Sequence, residues 1–231
     1  MATTEQRREE LVELFREVSK CERCQLHQTR TRTVFGAGNA NADLMFVGEA
    51  PGQQEDLQGI PFVGRAGKLL DELLAENGLA RDDVFIANVL KSRPPGNRDP
   101  QPDEIEACKP YLFRQVELIE PTVICTLGNF STKLLTGSQT GITRLHGREE
   151  IRTIGPRTVR LYPLYHPAAA LYTPSMLEIL RADFARIPEL LALPAPEQPP
   201  PAEPELVVPE PEIVAEVVAE PEPEAAQLGL F

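Results

Sequence analysis

Two glycine-rich stretches in close succession constrain this chain more than any other feature. They are Gly48-Glu49-Ala50-Pro51-Gly52 and Gly59-Ile60-Pro61-Phe62-Val63-Gly64-Arg65-Ala66-Gly67. The apolar run Leu44-Met45-Phe46-Val47 leads into them, and Leu69, Leu70, Leu73 and Leu74 follow at helical spacing. A buried strand, a loop and an amphipathic helix are therefore predicted in that order. Open α/β sheets hold ligands at the carboxyl ends of such strands. Glycine lets backbone approach a bound group there, and a helix start offers free N–H groups. Glycine also serves ordinary tight turns, so the loop alone is neutral between a ligand site and a turn.

The same alternation recurs along the chain. Val84–Val89, Thr122–Leu127 and Val159–Tyr165 join Leu44–Val47 as apolar runs rich in Val, Ile and Phe. Helical patterns cover residues 5–18, 66–77, 103–119 and 129–136, with a last one near 175–190. Strands alternating with helices predict a four-stranded, mostly parallel sheet covered on both faces, a three-layer α/β/α fold. Pro110 is expected to kink the helix over 103–119 beside Cys108. No apolar run approaches the roughly 18 residues of a membrane span. The first ten residues lack the apolar stretch of a signal peptide, so a cytoplasmic protein is expected. In that compartment four cysteines point to metal or redox chemistry rather than disulfides.

The formal charge of −12 speaks against nucleic acid, because Lys and Arg at phosphates carry such binding. The charge is unevenly spread. Nine of the 35 acidic residues, all Glu, follow residue 190, where there is no Lys, Arg or Asp. Residues 1–190 keep 26 acidic and 23 basic side chains, a net of −3, which leaves room for a local basic patch. From Ala192 to Glu224 the sequence is dominated by Pro, Glu, Ala and Val, with ten prolines between 194 and 223. That composition predicts a disordered linker over 192–226, following a folded domain of residues 1–191. Hydrophobicity returns only in Gln227-Leu228-Gly229-Leu230-Phe231.

Cys21-x2-Cys24 lets both sulfurs face one metal centre, and Cys108 and Cys125, sixteen residues apart between them, can supply another pair. Four thiolates suit zinc or an iron–sulfur cluster, and spacing does not choose. Cys125, inside Val123-Ile124-Cys125-Thr126, also reads as a small core residue. Asn88 ends a strand ahead of Lys91-Ser92-Arg93-Pro94-Pro95-Gly96-Asn97-Arg98, and His166-Pro167 follows the last strand.

These blocks, in this order, resemble the family 4 uracil-DNA glycosylases, the iron–sulfur branch of that superfamily, from about Cys21 to about Leu190. The resemblance implies a monofunctional enzyme that hydrolyses the N-glycosidic bond of uracil in DNA. It also implies a structural [4Fe–4S] cluster ligated by Cys21, Cys24, Cys108 and Cys125. A monomer is expected. The chemistry requires a base that leaves the stack, is read on its polar edge and departs as a stabilised anion. Asn88 has a donor and an acceptor to match O4 and N3–H of uracil. Phe62 offers a ring for stacking, Glu49 and Ala50 share its loop region, and a neutral His166 is placed to donate to O2. Related glycosylases of another family carry an aspartate where this chain has Ala50, which cannot act as a base. Glu49 is then the first candidate for positioning water, with Glu55 second.

Lys91, Arg93 and Arg98 read as phosphate contacts. Leu171, in Pro167-Ala168-Ala169-Ala170-Leu171-Tyr172, reads as the wedge into the space left by a flipped nucleotide. No lysine among these motifs is placed to form a Schiff base, so strand cleavage is not expected. A non-catalytic iron–sulfur or zinc DNA-binding module is the rival reading. Glu49, Asn88 and His166, each at a strand end, argue against it. A phosphate-loop nucleotidase fails, because Phe62 stands at its first glycine and Leu69 follows Lys68. The tail resembles the short peptide by which bacterial repair and replication proteins dock on the DNA sliding clamp, with Gln227, Leu228, Leu230 and Phe231 as anchors. Gly229 departs from the commonest residue at the third position.

Overall fold

A computed structural model describes residues 3–200. The chain opens with helix α1 (Thr4–Ser19), where the Thr3 hydroxyl accepts from the Gln6 N–H and the Gln6 side chain accepts from the Thr3 N–H. Two donors that a helix start leaves open are thereby satisfied. Six strands follow: β1 (Ala37–Gly38), β2 (Leu44–Gly48), β3 (Phe85–Asn88), β4 (Val123–Leu127), β5 (Glu150–Ile154) and β6 (Arg157–Leu164). They form one sheet in the order β1-β3-β2-β4-β6-β5. The predicted strands are the parallel centre, β3-β2-β4-β6. The edge strands β1 and β5 are antiparallel and were not predicted. β1 has two residues, and the middle of β5 faces solvent, so neither carries a buried apolar run.

Helices α2 (Gln53–Gln58) and α3 (Arg65–Glu76) link β2 to β3, and α4 (Pro102–Ile119) links β3 to β4. After β4 come α5 (Asn129–Thr136) and α6 (Ile142–Leu145). After β6 come α7 (Pro167–Ala170), α8 (Pro174–Phe184) and α9 (Ile187–Ala192). Alternate strand residues enter two separate cores. Met45, Val47, Phe85, Ala87 and Ile124 pack with Leu11, Leu14, Leu112 and Val116 of α1 and α4. Leu44, Phe46, Ile86, Val123, Cys125 and Leu127 pack with Leu70, Leu73, Leu180 and Phe184 of α3 and α8. The Phe46 and Phe184 rings stack with centroids 5.8 Å apart. This is the expected three-layer α/β/α arrangement.

Pro110 does not end its helix: α4 runs from Pro102 through Ile119, with Pro110 on the exposed face. The expected domain end at residue 191 is also passed. Gln198 accepts the Thr158 N–H at 3.1 Å and donates to the Thr158 carbonyl at 2.9 Å, so the first part of the predicted linker lies against β6. The rest of that linker, and the peptide Gln227–Phe231, lie outside the described residues. Among the described residues no helix is long and apolar enough to cross a membrane. Connections leave β2 toward β3 on one side, and β4 takes the other side. This reversal opens a crevice at the carboxyl ends of the strands.

Candidate active site

A cleft of about 360 Å³ occupies that crevice and brings together Glu49, Ala50, Phe62, Asn88 and His166. Asn88 closes β3 with 2% of its surface exposed, and its Oδ1 has no hydrogen-bond partner among the described residues. Leaving a buried acceptor unpaired costs about 1–3 kcal/mol, a deficit that a ligand donor removes. Gly48 permits this placement. A Cβ there would lie 2.3 Å from Asn88 Oδ1 and 2.8 Å from Phe62 Cζ.

Lys91, expected on a DNA phosphate, is instead buried at 2% exposure. Its Nζ donates to the Asn88 carbonyl at 2.8 Å and to Gln115 Oε1 at 2.6 Å, and Gln115 Nε2 donates to the Phe35 carbonyl at 2.9 Å. An amine enclosed in this way cannot reach a phosphate. Burial pulls its pKa down to about 7. What Lys91 does is anchor the end of β3 that carries Asn88 to helix α4.

His166 caps α7, and its Nδ1 accepts from the Ala168 N–H at 3.1 Å. The ring proton is therefore on Nε2. Burial holds the pKa of His166 at about 4 although the Glu55 charge opposes that shift, so the imidazole is neutral at physiological pH. Its ring stacks on Phe62 with centroids 5.6 Å apart and planes 24° from parallel. Phe62 has φ +51°, a left-handed conformation that costs a side-chain-bearing residue about 1–3 kcal/mol. Arg81 holds it there by donating to the carbonyls of Phe62 and Pro61. Gly67 leaves the necessary space, since a Cβ on it would fall 1.7 Å from the Phe62 carbonyl oxygen.

The two candidate glutamates separate clearly. Glu55 Oε1 accepts from the Val63 and Gly64 N–H groups, both at 3.1 Å, and so ties the second glycine stretch to α2. Glu49 lines the cleft half-buried, and desolvation, aided by the Asp99 charge, raises its pKa to about 7. A carboxylate that orients water must be ionised. The single-turnover rate should therefore fall about tenfold per pH unit below pH 7, and Glu49→Gln should remove this inflection. Since His166 stays neutral down to about pH 4, it adds no inflection of its own above pH 5. A flat wild-type profile between pH 5 and 8 takes Glu49 out of the water-positioning role.

The expected DNA contacts surround the cleft unevenly. Arg93 Nε donates to Asn97 Oδ1 at 2.6 Å on the exposed loop. Arg98 lines the cleft, but both of its terminal nitrogens are held by the buried carboxylate of Glu104. Leu171 is half-buried against the core between the sheet and α8. Its neighbour Tyr172 is 75% exposed, and Arg65 donates to its hydroxyl at 2.8 Å and stands 5.1 Å from its ring centroid. Sequence reasoning passed over Tyr172, although it is the aromatic residue of that segment.

The cysteines do not converge as a set of four. Cys21 and Cys24, just after α1, pack against the same core as Cys108 of α4, and Cys108 senses the charge of both. The Lys91 N–H points at Cys108 Sγ, 3.5 Å away. Arg23, stacked 4.1 Å over the Tyr111 ring, faces Cys21 together with the Tyr111 hydroxyl. Burial opposes ionisation of Cys21, but these donors outweigh it and hold its thiol below the usual range. Cys125 belongs elsewhere. It lies on β4 in the core on the opposite face of the sheet, fully buried among Phe46 and Tyr162, and burial alone pushes its thiol up. The assignment of Cys125 as a fourth ligand is thus corrected: the sheet stands between it and the other three. Among the described residues no three His, Cys, Asp or Glu side chains are close enough to grip a single ion. Cys21, Cys24 and Cys108 lie against one core face, and thiolate is the donor type that an iron–sulfur cluster takes.

The family model of the uracil DNA glycosylase superfamily matches residues 35–191. A type-4 uracil-DNA glycosylase of Archaeoglobus fulgidus is 49% identical over 187 residues, covering 79% of this chain and 94% of that protein. A type-4 uracil-DNA glycosylase of Sulfurisphaera tokodaii is 49% identical, covering 77% of this chain and 83% of that protein. One from Thermotoga maritima is 47% identical, with 71% and 85% covered.

Proposed function

We infer that this chain, which belongs to the uracil DNA glycosylase superfamily, hydrolyses the N-glycosidic bond of uracil in DNA, releasing the free base and leaving an abasic site. The observation that carries the reading is the buried, unpaired Asn88 Oδ1 in the cleft that also holds His166. A uracil turned out of the stack supplies N3–H to that acceptor, and the Asn88 amide N–H answers O4. Phe62 gives the base a face to lie on. His166 Nε2–H donates to O2 as the C1′–N1 bond lengthens and its electron pair moves onto the base. The deoxyribose becomes oxocarbenium-like, and a water oriented by the Glu49 carboxylate adds to C1′, losing its proton to that carboxylate. The uracil anion later takes a proton from solvent.

Cys21, Cys24 and Cys108 hold an iron–sulfur cluster in this reading. It ties the segment after α1 to α4 and the Lys91 loop, and takes no part in the bond cleavage. The test of the activity is a uracil-containing oligonucleotide. Free uracil and an alkali-labile strand are expected, with no break before alkali and no release of cytosine from a matched control. Strand scission without alkali overturns the monofunctional assignment.

For DNA contact, Arg93 and Tyr172 are the favoured residues, with Leu171 supporting Tyr172 from the core side. Arg93→Ala should weaken binding and reduce the salt slope by about one. Tyr172→Ala should weaken binding with the slope unchanged, because a wedging ring neutralises no phosphate. If Arg93→Ala leaves the slope as it was, the 93–98 loop is not on the DNA. The C-terminal Gln227, Leu228, Leu230 and Phe231 are proposed to dock on a sliding clamp, the Pro/Glu-rich segment acting as a tether. A chain ending at Glu224 should then lose clamp affinity while cutting free oligonucleotides at the full rate. Equal clamp affinity in the two chains sinks that idea.

A further inference from the structure

Three thiols leave a four-iron cluster one ligand short, and Cys125 is on the wrong face of the sheet to supply it. We propose that Ser92 completes the set, its side-chain oxygen ligating the iron that Cys21, Cys24 and Cys108 leave open. The inference rests on the cluster reading above and concerns its fourth position. The chain beside Cys108 Sγ is Lys91-Ser92, whose first N–H lies 3.5 Å from the sulfur. Ser92 is 6% exposed, and its hydroxyl has no hydrogen-bond partner among the described residues. On a residue so little exposed, a hydroxyl that makes no hydrogen bond among the described residues keeps its lone pairs for a ligand role.

Other donors nearby are committed or lie in an outer groove. His27 donates Nδ1–H to the Cys24 carbonyl at 2.8 Å, and its ring, with Nε2 free, lines an outer groove with Arg30 and Arg32. The Tyr111 hydroxyl is turned to Cys21. Glu104 is held by Arg98 and by the Gln101 N–H. Lys91 sends its amine to Asn88 and Gln115, which leaves the side-chain oxygen of Ser92, one residue on from the N–H beside Cys108, uncommitted. Oxygen is a harder ligand than thiolate, so the iron it holds should be the one most readily lost to oxidation.

The experiment compares the anaerobically purified full chain with Ser92→Ala, Ser92→Cys and Cys125→Ser. Iron, acid-labile sulfide and electron paramagnetic resonance are the readouts. The wild-type chain and Cys125→Ser should each carry about four irons. Ser92→Ala should lose roughly a quarter of the iron and show the signal of an oxidised three-iron cluster. Ser92→Cys should keep all its iron and hold it several-fold longer in air than the wild type. Ser92→Ala with a full complement of iron, or Cys125→Ser without it, overturns the assignment. Should Ser92→Ala not fold, an absorption spectrum and air lifetime of Ser92→Cys identical to wild type overturn it equally. A wild-type chain free of iron overturns the cluster reading itself, which is a different failure.

Discussion

His166→Ala should lower the single-turnover rate of uracil release by about 10²–10³-fold, the loss usual for one preorganised donor to a developing anion. Affinity for uracil-containing DNA should change little. The reason lies in the timing of charge. Uracil O2 is a neutral carbonyl when the base enters and carries anionic density only as the glycosidic bond breaks. A hydrogen bond to it therefore strengthens on the way to the transition state. Two features of the structure prepare the donor. The Ala168 N–H fixes the tautomer by occupying Nδ1, and burial keeps the ring uncharged by holding its pKa at about 4. No proton has to arrive or leave before the step. The variant should thus show a reduced rate with an unshifted Glu49 inflection, and an equal loss of rate and binding would make His166 an ordinary DNA contact.

The parallel centre of the sheet was legible because β2, β3, β4 and β6 are buried on both faces and read as continuous apolar runs. That same property hid the fate of Cys125. In a strand apolar on both faces, the sequence carries no mark of which face a given residue enters. Ile124 and Cys125 are neighbours, yet they enter opposite cores. Spacing to Cys108 could not report this, whereas the parity of β4 against β2 settles it once the register is known. Glu49 and His166 could be picked out because each follows a strand's carboxyl end, Asn88 because it ends β3, and Phe62 because it sits in the glycine-rich stretch between α2 and α3. Lys91 could not, since a lysine beside two arginines in a Pro- and Gly-containing loop reads as solvated. Its burial follows from Gln115 and the Asn88 carbonyl, one of them 24 residues away in the chain. Leu171 and Tyr172 were separated by the turn after α7, which presses one into the core and leaves the other in water.

Gly48→Ala should cost about 10²-fold in kcat/KM although the position touches no substrate. The backbone of Gly48 is not left-handed, so alanine meets no torsional strain there. What it lacks is space. The new methyl carbon would lie 2.3 Å from Asn88 Oδ1 and 2.8 Å from Phe62 Cζ, so the amide has to retreat by about 1 Å and the ring must tilt. A displacement of that size at a positioned group is enough for a loss of about two orders of magnitude. Asn88 cannot yield freely, because Lys91 holds its carbonyl and β3 pairs with β2 at Gly48 itself. Crowding of this kind typically costs about 1–3 kcal/mol, which lowers the melting temperature by several degrees and leaves a folded protein at 25 °C. The double variant with Asn88→Ala separates the two effects. If the damage passes through the amide, Gly48→Ala adds little to a chain that already lacks it, and the two losses fall well short of multiplying. Full multiplication would place the damage at Phe62 instead, and a Gly48→Ala enzyme as fast as wild type would show that the cleft does not depend on this contact.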